Sequence, residues 1–238
     1  YNEFEHGVIF FFGVGAQAIT WDFNAGSYLG WHKEGDAFAN QPTYGPNVTA
    51  GRVIPPLPLG GDYWDVPYSL GNKSAYWIGT YENRRGPAEP WGQVQGDGPQ
   101  GTLTSIPFPV YKSWFSFLIG GGGGSNVRVE FLLKATSSNR TKFEEAVGPD
   151  GDRAPYPKVQ IRGTDYYVLS TWTGNNDERM RQVWLNVAPY FGEHVCIRIV
   201  DHSSDGWGHI NVADFAFTEE RPAQQGPTVW GIADTHAH

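Results

Sequence analysis

The chain has 238 residues, among them 31 Gly, 17 Pro, 10 Trp, 12 Tyr and 14 Phe. That aromatic mass excludes disorder as the main state, and no apolar run reaches the ~20 residues that span a bilayer. Seventeen Lys and Arg against 25 Asp and Glu give a formal net charge of −8, which excludes the basic face that a nucleic-acid partner requires.

The first notable segment is Val8-Ile9-Phe10-Phe11-Phe12-Gly13-Val14, followed by Ala16-Gln17-Ala18. It has the outline of a signal peptide with an A-x-A site, but Tyr1 to His6 is acidic where a signal peptide is basic, so it reads as mature sequence. Left in water, such an apolar, β-prone stretch is an aggregation hazard. It must be buried on its own domain or on a neighbour, the second route being donor-strand complementation. Residues 1–18 are therefore read as an extension. Val8, Ile9, Phe10, Phe11, Phe12 and Val14 form its self-association strand.

Strand patterns dominate the chain beyond that extension. Residues 18–23, 75–82, 102–105, 113–119, 127–133, 158–162, 165–171, 181–187, 194–200 and 209–217 are rich in Val, Ile, Phe, Tyr, Trp and Thr and bounded by turn formers. Alternation is clearest in Val127 to Leu132 and in Val195 to Val200. Only Thr141 to Val147 offers a turn or two of helix, capped by Asn139 or Thr141. The expected fold is all-β: an antiparallel jelly-roll β-sandwich over residues 19–220, with long loops at 24–74 and 83–101. Residues 221–238 read as a linker and tail.

Gly120 to Gly124, followed by Ser125, lacks the lysine and the helix of a phosphate loop and reads as a passage between strands. The single cysteine, Cys196, permits no intrachain disulfide, and its strand-like setting makes it a small buried apolar residue. Sequons at Asn47, Asn72 and Asn139 sit among turn formers, where a glycan would be accessible. They favour a secreted protein.

Aromatic residues in the loops are candidates for stacking on sugar faces. Trp31, Trp64, Trp91 and Trp172 are taken as carbohydrate-binding positions, with Tyr44, Tyr63 and Tyr68 beside them; the competing role is to pack the loops onto the sandwich. Asp62, Asp65, Glu82 and Asp97 read as solvated loop acids rather than a glycosidase pair. No G-x-S-x-G elbow is present, and Asp201 to His209 reads as a turn rather than a metal site. The chain is read as non-catalytic.

Four stretches carry a resemblance. They are Trp21-Asp22-Phe23-Asn24 to Phe38, Tyr76 to Asn83, Gly101 to Gly122, and Val200-Asp201 through Gly206-Trp207-Gly208-His209 to Phe215. Together they resemble the jelly-roll, galactose-binding-like ancillary modules of secreted enzymes. The resemblance implies a structural Ca²⁺ between the start of the domain and its last strand, held by Asp22 or Asn24 with Asp214, and with Asp36 as a further ligand. Separately, Val229 to His238 resembles the first strand of an amidohydrolase-type metal barrel, whose H-x-H pair would be His236 and His238, although the rest of a barrel is missing.

The leading expectation is an extracellular structural module that associates with copies of itself, into filaments, through its N-terminal strand. The alternatives are a carbohydrate-binding module and an accessory domain of a metal-dependent hydrolase.

Overall fold

The computed structural model describes residues 1–4, 7–12, 15–45, 47, 76–149 and 151–222. Its elements in chain order are β1 (Asn2–Phe4), β2 (Gly7–Phe12), β3 (Gly15–Thr20), β4 (Trp31–Gly35), β5 (Thr43–Tyr44), β6 (Tyr76–Gly79), β7 (Gly101–Ser105) and β8 (Phe108–Pro109). After them come β9 (Trp114–Gly121), β10 (Val127–Lys134), the short helix α1 (Arg140–Glu144), β11 (Lys158–Ile161), β12 (Thr164–Trp172), β13 (Asp177–Asn186), β14 (His194–Asp201) and β15 (Ile210–Thr218). The fold is all-β. The expected strand at 18–23 is displaced, β3 running from Gly15 to Thr20; the other expected strands form with ends shifted by a few residues, and α1 occupies the expected helical turn.

Two antiparallel sheets make the sandwich. One has the order β11-β12-β10-β14-β7-β4, with β8 also on β14; the other has the order β13-β9-β15-β6-β5. From β8 onward the chain crosses repeatedly between them. The alternation seen in the sequence decides what each face does. Val127, Val129, Phe131 and Leu133 of β10, with Val195, Ile197 and Ile199 of β14, face Phe115, Phe117 and Ile119 of β9 and Val212, Phe215 and Phe217 of β15 in one core. Phe115 bridges the sheets, with ring centroids 5.0 Å from Phe131 and 5.0 Å from Phe217. Cys196 points to the other face and is buried there, which pushes its thiol up to about 12.

The N-terminal strand finds its partner within its own chain. Strands β1, β2 and β3 form a separate antiparallel sheet in that order. One of its faces presents Val8, Phe10 and Ile19 to the main core. Phe10 is 2% exposed and packs 5.7 Å from Phe108 and 5.4 Å from Tyr111. Lys112 ties down β1 through Glu3 at 2.6 Å. This corrects the self-association reading at Val8 and Phe10, since burying two large side chains in cis removes the hydrophobic drive for docking in trans. Ile9 lies on the opposite face, half-buried. Phe11 and Phe12 complete β2, and Val14 lies outside the described residues. The boundary drawn at Ala18 falls inside β3.

The glycine run crosses from β9 to β10 without a phosphate-loop geometry. A side chain at Gly122 would place its Cβ 2.0 Å from the Trp207 carbonyl oxygen, so the 120–124 passage is pressed against the loop before β15. Among the described residues no helix is long and apolar enough to cross a membrane.

Candidate functional site

The segment between β6 and β7 is held on the end of the sandwich by side-chain amides rather than by strand pairing. The Gln95 side chain donates to the carbonyls of Ala37 (2.7 Å) and Thr80 (2.6 Å), and accepts from Asn40 (3.0 Å). Gln41 donates to the Glu82 carbonyl (3.1 Å) and accepts from the Gly79 N–H (2.8 Å). Buried Asn47 donates to Glu82 and to the Gln93 carbonyl and accepts from the Gly92 N–H. Six of these eight bonds go to backbone groups of the loop and its neighbours, and the other two join side chains to one another. The loop is therefore a fixed platform.

Arg84 sets the exposed surface of that platform. Its Nη1 donates to the Tyr44 carbonyl (2.6 Å) and its Nε to the Glu89 carbonyl (3.2 Å). The guanidinium lies 5.0 Å from the Tyr44 ring centroid and 5.6 Å from that of Trp91, close enough to both for a cation–π contact. Trp91 is nevertheless 59% exposed. Glu89, two residues away, lines a cleft of about 790 Å³ together with Tyr28, Leu29, Gln41, Arg85 and Pro87. An exposed ring two residues along the chain from a cleft that mixes apolar walls with an amide, a guanidinium and a carboxylate has the elements of a small-ligand site.

A second cluster locks the far end of the loop. His209 Nδ1 lies 2.6 Å from Asp97, and Nε2 lies 3.1 and 3.2 Å from the two oxygens of Glu178. Both ring nitrogens can donate only in the imidazolium. Burial alone would depress its pKa, but the Glu178 and Asp97 carboxylates outweigh that and hold it at about 8. Asn211 donates to Glu178 (2.7 Å), and Trp207 stacks on the imidazole at 5.6 Å. Burial pushes buried Glu82 up to about 8, against the lowering effect of its bond from Asn47; it pushes Asp201 up to about 6. Glu82 and Asp97 thus belong to one cluster, as reading them as solvated loop acids did not anticipate. His209 is 4% exposed and both carboxylates bond its ring, so the group fastens the loop.

Among the described residues expected to bind carbohydrate, Trp91 is the most exposed. Trp31 is a core residue of β4, 7% exposed, donating to the Thr20 carbonyl (2.8 Å) and packed on Phe215 at 5.4 Å; the little surface it exposes lines the same cleft as Glu89. Trp172 packs edge-on to Phe117 at 5.2 Å. Trp64, Tyr63, Tyr68, Asp62 and Asp65 lie outside the described residues. Two sequons are corrected as well. Asn47 is buried in the amide network around Glu82, and Asn139 is buried with its amide donating to the Lys134 carbonyl (3.0 Å), so neither nitrogen is presented to solvent. Asn72 lies outside the described residues, as do His236 and His238.

The residues implied for calcium are partly assembled. A hydrogen bond from the Phe215 N–H to the Trp21 carbonyl (3.2 Å) sets the chain at Asp22 alongside Asp214, and Asp22 accepts from the Asn24 backbone (2.9 Å) and side chain (3.1 Å). These oxygen donors suit a hard cation in type. Asp36 lies elsewhere, in the turn after β4, with its N–H on the Gln100 carbonyl. Among the described residues no three His, Cys, Asp or Glu side chains are grouped to hold a metal.

No family model matches the chain. It is 29% identical over 132 residues to an Aspergillus rugulosus protein named as a glycosyl hydrolase, ecdE. The match covers 56% of this chain but 14% of that relative. Similar solved structures include the K2 cleaved adhesin domain of Lys-gingipain (12% identity, 83% of this chain and 96% of that one, TM-score 0.39). The K3 adhesin domain of Porphyromonas gingivalis is 15% identical with a TM-score of 0.34, over 83% of this chain and 96% of that one. A family 43 arabinoxylan arabinofuranohydrolase of Bacillus subtilis shows 12% identity and a TM-score of 0.28, over 61% of this chain and 26% of that one.

Proposed function

We propose that this chain is a non-catalytic, carbohydrate-binding β-sandwich module of a secreted protein. The observation that carries this reading is Trp91, an exposed indole backed by Arg84 and two residues along the chain from Glu89, which lines the cleft with Tyr28, Gln41 and Arg85. A flat apolar ring held rigid loses little entropy on stacking against a sugar, while Gln41, Arg85 and Glu89 supply donors and acceptors for hydroxyls. The sequence likeness to a protein named as a glycosyl hydrolase adds support, since that likeness spans a small part of the longer protein, as an accessory module would. The expectation that filaments form through residues 8–14 loses ground, because β2 would have to leave its own core. The test is retention on immobilised polysaccharides, comparing the natural chain with Trp91→Ala. Loss of retention with an unchanged melting temperature supports the reading, whereas no retention across a broad panel overturns it. A calcium ion bridging Asp22 and Asn24 to Asp214 is a second proposal, supported by the backbone bond that joins those two segments.

A further inference from the structure

The outward face of the larger sheet carries a second cleft, of about 410 Å³. It is lined by Glu34 of β4, Thr102 and Thr104 of β7, Arg198 of β14, and Gln160 and Arg162 at the β11–β12 turn. Three strands, β12, β10 and β14, separate β11 from β7 in the sheet order. Lining one cleft from both sides therefore requires the sheet to curl, making this face concave. Register puts Thr104 opposite Arg198 and Arg198 opposite Glu130, so they form one outward row.

The cleft is polar and cationic in a chain of net charge −8. Buried Glu130 receives Arg128 on one oxygen (2.7 Å) and Arg198 on the other (2.6 Å), so the trio carries one net positive charge. Glu130 takes Nε and Nη2 of Arg198, which leaves Nη1 for a ligand. Arg162 adds a second positive charge and Glu34 subtracts one. Arg162 also occupies a costly position. It is the first residue of a two-residue turn, with φ +51°, followed by Gly163 at φ +79°. Such turns favour Asn or Gly there, and an arginine stores strain without improving the turn. Among the described residues no aromatic side chain lines this cleft, which separates it from the Trp91 platform.

We infer that the concave face is a second glycan site, and that it takes a carboxylated sugar, a uronic-acid residue of an acidic polysaccharide. Arg198 Nη1 and Arg162 meet the carboxylate by charge-assisted hydrogen bonds. Thr102, Thr104, Gln160 and Glu34 meet the hydroxyls. This inference does not depend on the Trp91 site.

Binding to polygalacturonate, to its fully methyl-esterified form and to dextran sulfate tests it, using the whole chain and its Arg162→Asn and Trp91→Ala variants. The natural chain should bind polygalacturonate at least tenfold better than the ester, which has the same backbone without the charge. Arg162→Asn creates a favourable Asn-Gly turn, so its melting temperature should hold or rise while polygalacturonate affinity falls at least tenfold. Trp91→Ala should leave that affinity within twofold. Equal binding of acid and ester, dextran sulfate binding as tight as the uronate, full affinity in Arg162→Asn, or loss of affinity in Trp91→Ala would each overturn the assignment. So would failure of the natural chain to bind polygalacturonate.

Discussion

Three buried groups around the loop 80–100 should make this protein more stable in mild acid than in mild base. His209 is held at about 8 against an ordinary 6.5, Glu82 at about 8 against 4.5, and Asp201 at about 6 against 3.8. All three folded-state values lie above the unfolded ones, so the folded chain binds more protons in the intervening range. Each contribution is complete below the unfolded value and is lost as pH rises through the folded one. Glu82 acts between about pH 4.5 and 8, His209 between about 6.5 and 8, and Asp201 between about 4 and 6. A single group contributes ~1.4 kcal/mol per pH unit inside its window. Glu82 and His209 feel each other and Glu178, so their effects do not add, and the loss from pH 5 to 8.5 is on the order of a few kcal/mol. For a domain of this size that is roughly 5–10 °C in melting temperature. Tryptophan-monitored thermal unfolding from pH 5 to 8.5 at constant ionic strength measures it. Glu82→Gln keeps an acceptor for Asn47 and removes one titration; it should flatten the slope and raise stability at pH 8. A melting temperature that is flat, or that rises, between pH 5 and 8 would refute this account.

Other outcomes rest on single contacts. Phe10→Ala removes a ring buried against Phe108 and Tyr111 and should cost about 3–5 kcal/mol in denaturant unfolding; an effect below ~1 kcal/mol would mean that β2 does not dock in cis. Trp91→Ala should leave stability within about 0.5 kcal/mol and reduce retention on uncharged polysaccharides roughly tenfold, ~1.4 kcal/mol, by affinity electrophoresis. Chelation should lower the melting temperature if Asp22 and Asp214 share an ion, by the ~2.7 kcal/mol that saturation at 100 times Kd contributes; identical curves with and without chelator would remove that ion.

The strands of the sandwich were legible because alternation of apolar and polar residues is a local signal with a fixed period. Val127 to Leu132 needs no tertiary information to announce two faces. Strand β4 escaped because Trp31 is its sole large apolar residue and its outward residues, His32 and Glu34, are polar. Strands β1, β5 and β8 are only two or three residues long, too short for any period to show. The apolar β2 segment disclosed that it must be buried but not against what. A strand with large side chains on both faces reads the same whether its acceptor is in cis or in trans.

The candidate site depends on contacts that no local pattern encodes. His209 meets Asp97 from 112 residues away and Glu178 from 31, and nothing near any of the three announces the others. Asn47-Val48-Thr49 satisfies a glycosylation sequon whether its amide faces solvent or, as here, Gln93 and Glu82. Trp31 and Trp91 both lie in Gly-containing stretches, yet one is core and the other surface. Only the flanks of Trp91 hold a usable signal. Trp31 opens a strand whose other residues are polar or glycine, and it is the register with β7 that gives it an inward face. Trp91 stands between Pro90 and Gly92, with no alternation on either side. A proline that cannot donate to a ladder and a glycine that weakens one together keep this ring out of any sheet. Its placement then falls to Arg84 and Asn47, whose amide and guanidinium groups fix the loop, and a ring fixed by polar bonds from beneath remains free on its outer face.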